Sequence, residues 1–161
     1  MRFNKLSLLL IGCAMAQLAD AHEFEAGQLH IDHPWSRALP PVAPTGAAYL
    51  SISNHGDTAD TLLGAKTEVA GKVEIHEHVH ADGVMKMQRV ESLTIEPGAT
   101  VTFAPGSYHL MLFNLARPLA AGESYPLTLN FANAGEVNVQ VNVQANDEPS
   151  SGEKQDHHQH H

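Results

Sequence analysis

Polar and apolar residues alternate one for one in two stretches of this chain. In "VEIHEH", residues 73–78, Val73 and Ile75 alternate with Glu74, His76 and His78. In "YHLMLF", residues 108–113, Tyr108, Leu110 and Leu112 alternate with His109 and Met111. A β-strand sends successive side chains to opposite faces, so each pattern predicts a strand with one apolar face and one face carrying imidazole or thioether groups. "VMKMQRV", residues 84–90, follows "VEIHEHVH" after a single "ADG", which reads as a hairpin; Met85 and Met87 share a face of its second strand.

The same reading extends from about residue 28 to residue 144. "LHIDHPWSR" is followed by the Pro-rich loop "ALPPVAPTG", then by "AAYLSIS" closed by "NHGD", and by "TLLGAKT". "SLTIEPGATVTFAPG" holds two brief strands broken by Pro-Gly pairs, and "YHLMLFNLA", "SYPLTLNFA" and "GEVNVQVNVQ" complete the series. No segment keeps a 3.6-residue period beyond a turn or two. Many short strands with turns roughly every 8–12 residues predict an all-β fold, an antiparallel sandwich or barrel. No internal repeat is visible.

The two ends differ from this middle. "MRFNK" is basic, "LSLLLIGCAMAQLA" is apolar, and small residues precede His22, the layout of a secretory signal peptide cleaved after Ala21. The apolar run is shorter than the ~20 residues of a spanning helix, so no membrane insertion is expected after cleavage. "LIGC" also resembles a lipid-modification signal at Cys13, but the apolar run before it is very short, which ranks this reading second. At the other end, residues 145–161, "ANDEPSSGEKQDHHQHH" with Ala145 first, lack apolar residues and predict a disordered tail. The expected organisation is a leader over 1–21, one domain over 22–144 and a His-rich tail over 145–161.

Composition narrows the chemistry. Cys13 is the only cysteine, so the chain after the leader has neither a disulfide nor a thiolate metal site. The whole chain has 9 basic and 18 acidic residues; Arg2, Lys5 and Asp20 go with the leader, leaving 7 and 17, a net charge of −10 with His neutral. So acidic a chain is a poor candidate for binding nucleic acid or anionic membrane. Twelve of its 161 residues are histidines.

Four residues on three of the predicted strands form a spaced set. Ten residues separate His76 from Met87, twenty-one separate Met87 from His109, and one separates His109 from Met111. Two imidazoles and two thioethers make a neutral, soft donor set that suits Cu(I); zinc favours thiolates or more imidazoles, and calcium or magnesium oxygen. Neutral donors leave the ion's charge uncompensated, which favours handing it on. A single methionine is usually core filling and a single histidine a surface group. The paired His109 and Met111 in an apolar strand shift that balance, because a buried imidazole without a partner is costly. His78 and His80 read first as solvated positions on the hairpin and second as auxiliary ligands.

The His-x10-Met-x21-His-x-Met pattern, with "WSRA" at 35–38, "GAAYLSISN" at 46–54, "GVMKM" at 83–87 and "PGSYHLML" at 105–112, resembles the periplasmic copper chaperone A (PCuAC) family over about residues 28–144. That resemblance implies a cupredoxin-like, Greek-key β-sandwich holding one Cu(I) through His76, Met87, His109 and Met111. It implies delivery to the CuA centre of cytochrome c oxidase, with the oxidase subunit or a thioredoxin-like assembly protein as partner. The location implied is the periplasm, with no substrate turned over and a monomer expected. Family members with a His- and Met-containing C-terminal extension suggest a second site here. The tail has His157, His158, His160 and His161 but no Met, which suits Cu(II), and cleavage after Ala21 would let the amino group and imidazole of His22 add two nitrogen donors. The same ligands serve a storage or tolerance protein with no dedicated acceptor. A mature amino-terminal histidine is also the starting point of a copper-brace oxidase, which ranks below both.

Overall fold

The structure is a computed structural model and describes residues 23–146. Eleven strands run in chain order: β1 (Glu23–Ala26), β2 (Leu29–Arg37), β3 (Thr45–Asn54), β4 (Asp60–Lys66), β5 (Ala70–Ala81), β6 (Val84–Val90), β7 (Leu93–Ile95), β8 (Thr100–Phe103), β9 (Tyr108–Leu115), β10 (Ser124–Phe131) and β11 (Gly135–Gln144). The fold is the expected all-β sandwich. Every strand read from the alternation is present within a few residues, and β1 is an addition. Among the described residues no helix is long and apolar enough to cross a membrane.

The strands join in the order β6-β5-β9-β8-β3-β2-β11-β10-β4-β7, with β1 on β2 and a further pairing of β9 with β3. Most pairings are antiparallel, as anticipated, but two are parallel: β11 with β2, and β8 with β9 at a single register pair, Phe103 and Tyr108. The middle of β2 explains the first. Pro34 has no N–H to give to a ladder, His33 sits at φ +49°, and the register with β3 shifts between Asp32 and Trp35. The strand changes partner at that break: residues before it pair with β1, and residues after it pair with β11.

Alternation sets the core. In β10 the buried positions are Tyr125, Leu127, Leu129 and Phe131; in β11 they are Val137, Val139, Val141 and Val143. These meet Ile31, Leu50, Ile52, Leu62, Phe103, Leu110 and Leu112 in one cluster. Burying each such side chain contributes about 1.5–3 kcal/mol. Short alternating strands build this core because every second side chain adds to the same interior.

Buried polar groups away from the His–Met face are satisfied. Asn54 Nδ2 donates to the carbonyls of Thr58 and Ile95 at 2.9 and 3.0 Å, and its Oδ1 accepts from Gly56 N at 2.9 Å. Asp60 accepts backbone N–H bonds from Thr61 at 2.7 Å and from Asn133 and Ala134 at 2.9 Å each. Ser36 Oγ and the Tyr125 hydroxyl lie 2.6 Å apart, and burial, partly opposed by this bond, pushes the Tyr125 phenol up to about 12. Tyr125→Phe would leave Ser36 Oγ buried without a partner, so the unfolding free energy in urea should fall by about 1–3 kcal/mol. Adding Ser36→Ala should restore part of that loss; a double variant no more stable than the single one would mean that the hydroxyl pair is not what Tyr125 contributes.

Candidate metal centre

Strand β5 lies between β6 and β9, and the two registers bring the predicted donors together. His76 stands opposite His109 on β9, and His78 stands opposite Met87 on β6. The β5–β6 turn holds Asp82 at φ +54° and Gly83 at φ +74°, the paired positive values of a type I′ hairpin, which suits the Asp-Gly sequence. On the reverse face Ile75, Leu110 and Leu112 are buried in the core. Sequence alternation thus places His76, His78, Met87, His109 and Met111 on one face of three adjacent strands.

The side-chain geometry is that of donors without donors' partners. His76 and His109 are buried, 8 % and 4 % exposed, while Met87 is half exposed at 49 %. Glu74 Oε2 lies 2.9 Å from His76 Nε2. A carboxylate only accepts, so Nε2–H donates to it; in the neutral ring the lone pair then rests on His76 Nδ1, which is buried with no hydrogen-bond partner. His109 Nδ1 lies 3.3 Å from the Ser107 carbonyl, and Nε2 lies 3.2 Å from Met87 Sδ. The carbonyl also only accepts, so a neutral His109 carries its proton on Nδ1. Its Nε2 then turns a lone pair on a thioether sulfur that offers another.

Protonation is the wrong remedy for that confrontation. Burial pushes the His109 imidazole below its ordinary range; the Ser107 carbonyl pulls the other way, and His78 and His76 reinforce the lowering. A soft cation between nitrogen and sulfur satisfies both lone pairs at once. Met111 lies two positions along β9 from His109, half-buried on the same face and opposite Glu74. Among the described residues no group of three or more His, Cys, Asp or Glu side chains is gathered closely enough to hold a metal ion.

His78 departs from expectation. It is half-buried rather than solvated, its ring centroid lies 5.0 Å from that of His109, and its Nδ1 is buried without a partner. The cause is that β5 has a neighbour on each side, so Met87 and His109 flank the ring. Period-two alternation gave its face but not these neighbours. His80 is exposed, as expected. His22, His157, His158, His160 and His161, the leader and the tail beyond Asn146 lie outside the described residues.

The family described as "Putative lipoprotein LpqE-like" matches residues 29–143. The chain belongs to this family. The protein named "Putative lipoprotein Lxx21020" from Leifsonia xyli subsp. xyli is 32% identical over 139 residues, 83% of this chain and 81% of its own. The copper-bound PCuAC domain from PmoF2 is similar in structure, with a TM-score of 0.66 and 30% identity over 77% of this chain and 98% of that one. Cu(I)-bound DR1885 from Deinococcus radiodurans has a TM-score of 0.61 and 32% identity, covering 83% of this chain and 87% of its own. The resemblance read on the His–Met spacing is thereby shown for the domain as a whole.

In this LpqE-like chain the site has a charged wall that spacing alone does not reveal. Glu74 receives Lys72 Nζ at 2.9 Å and faces Arg89 Nε at 3.8 Å, besides binding His76. The hydrogen bond from His76, then that from Lys72, hold its carboxyl down to about 2 against slight burial, with the charges of Lys72 and Arg89 adding to the effect. Lys72 also lies 4.5 Å above the Phe113 ring. The signal was present: Glu74 is the one carboxylate on the imidazole face of β5, at i−2 from His76. A cleft of about 470 Å³ lined by Asn54, Asp60 and Asn133 lies elsewhere, and its buried carboxylate is already saturated by backbone donors.

Because the folded carboxyl of Glu74 titrates below the unfolded one, its stabilising effect is complete above about pH 4.5 and is lost as pH falls towards 2. Side-chain carboxyl NMR of the metal-free protein should give Glu74 a midpoint near 2. In Lys72→Met the midpoint should move up. A midpoint at the ordinary carboxylate value in the unsubstituted protein would remove Glu74 as the group that orients His76.

Proposed function

We propose that this protein is an exported copper chaperone that holds Cu(I) through His76, Met87, His109 and Met111. Its acceptor is the CuA centre of cytochrome c oxidase or a thioredoxin-like assembly partner, and it works in the periplasm as a monomer without turning over a substrate. The observation that carries this reading is the 3.2 Å approach of His109 Nε2 to Met87 Sδ, which in a neutral ring protonated on Nδ1 sets one lone pair against another, beside the His76 Nδ1 that has no hydrogen-bond partner. The copper-bound PmoF2 domain and Cu(I)-bound DR1885 support the choice of metal. The donor chemistry supports it independently, since two neutral imidazoles and two thioethers favour soft Cu(I).

Release follows from the same features. Met87 is half exposed, so an incoming thiolate or imidazole reaches the ion by displacing a thioether first. Glu74 holds His76 in place through Nε2–H, which keeps Nδ1 available while ligands exchange. A second, Cu(II) position in the tail, using His157, His158, His160 and His161 with or without His22, belongs to the same proposal. So does the leader cleaved after Ala21, with lipidation at Cys13 as the competing route; the lipoprotein name of the Leifsonia relative favours export by one of the two.

Anaerobic Cu(I) titration of residues 22–161 against a chromophoric chelator, repeated on residues 22–146, tests the site. One tightly held Cu(I) in both is expected. Met87→Leu keeps the volume and removes the sulfur, so it should weaken binding by at least about tenfold at unchanged melting temperature. Loss of the tight site on truncation would move the chemistry to the tail and overturn the four-ligand reading. Transfer to an apo-CuA domain separates delivery from storage: a loaded protein that transfers nothing is a store.

A further inference from the structure

The β5–β6 hairpin carries more soft donors than the four-residue site uses. Beyond the leader the chain has three methionines, Met85, Met87 and Met111, and all three lie on the face of His76 and His109. The register sets His80 opposite Met85, as it sets His78 opposite Met87. Residues directly opposite on one face have Cβ atoms ~4.5–5.5 Å apart. Successive positions of one face follow at about 6.6–6.8 Å along a strand. Imidazole–thioether pairs therefore repeat along the hairpin, each within side-chain reach of the next.

Burial falls along the same line. His109 and His76 are buried, His78 is half-buried with an unpartnered Nδ1, and His80 is exposed. Met87 and Met85 are 49 % and 52 % exposed. Strand β6 is the free edge of the sheet, where charged residues commonly stand to prevent pairing. On the donor face this edge instead presents two thioethers in succession, with Arg89 the only charge.

We propose that His80 and Met85 form an outer position for a soft monovalent metal ion, with His78 as the stepping ligand between it and the inner site. The hairpin is then the path by which the ion enters and leaves. The inference rests on the Cu(I) reading of the inner site. Each step forms one metal–nitrogen or metal–sulfur bond as another breaks, and the oxidation state does not change. The outer position has two neutral, solvated donors and binds more weakly than the inner one. That gradient suits loading inward and lets a partner collect the ion at the hairpin tip without entering the fold.

The test uses residues 22–161 with labelled methionine methyl groups and Ag(I) as a redox-inert monovalent probe. The first equivalent should shift the Met87 and Met111 methyls, and the second should shift Met85. In His80→Asn/Met85→Leu the first equivalent should bind as tightly as before, while its transfer to excess chelator slows by at least about tenfold. A first equivalent that leaves Met87 and Met111 unmoved overturns the inner site and this proposal with it. If the first equivalent behaves as expected, two results each overturn the outer position alone. One is a second equivalent that leaves Met85 unmoved, whether it goes to the tail histidines or is not bound. The other is a double variant that transfers as fast as the unsubstituted chain, which would leave the exposed methionines as an apolar contact surface.

Discussion

The pairing of β5 with β6 on one side and β9 on the other is the constraint from which the site follows. It sets His76 against His109 and His78 against Met87, and so gathers donors that lie far apart in the chain. A slip of one residue in either register would turn the imidazoles of β5 towards the core and bring Ile75 to the surface. Two features prevent the slip. The Asp82–Gly83 turn adopts the backbone twist of a two-residue hairpin, and the reverse face of β5 and β9 is locked into the interior through Ile75, Leu110 and Leu112. The apolar core therefore positions these side chains.

That arrangement has a local cost. Asn54, Asp60 and the Ser36–Tyr125 pair show that this fold satisfies buried polar groups where it can. Among the described residues the buried side-chain nitrogens left without partners are those of His76 and His78, and both belong to the donor face. An unsatisfied buried group costs about 1–3 kcal/mol, which a core of this size tolerates. The ionised Glu74, flanked by Lys72 and Arg89, holds the proton of His76 on the nitrogen that faces away from the free lone pair. Neutral imidazoles beside thioethers discriminate by softness rather than charge, which disfavours hard divalent cations.

Most of the strands from β2 to β11 were legible because they bury one face, and period-two alternation is the direct trace of that burial; β6, exposed along nearly its whole length, was legible from the Asp-Gly turn before it. Strand β1 was not, because it is four residues long, half of them glutamate, and rests only on the first part of β2. The parallel pairing of β11 with β2 was hidden for another reason: it depends on Pro34 breaking the β2 ladder, and nothing local says which strand fills the gap. The half-burial of His78 was not legible, because its environment comes from two strands, each remote from the other in sequence. The four spaced candidates, His76, Met87, His109 and Met111, were legible as a set through their resemblance to a known family, and their common face through alternation.

The sequence by itself determined the strand content, the face on which each histidine and methionine of β5, β6 and β9 stands and the soft, neutral character of that set. Those properties depend on residue type and on a two-residue period, both of which are local. Only the tertiary structure decided that His109 Nε2 meets Met87 Sδ, that Glu74 orients His76, and that burial declines from His109 to His80. Each of these depends on which strands become neighbours and in what register. Those choices are made by the summed burial of the whole core, and so no single stretch of the chain records them.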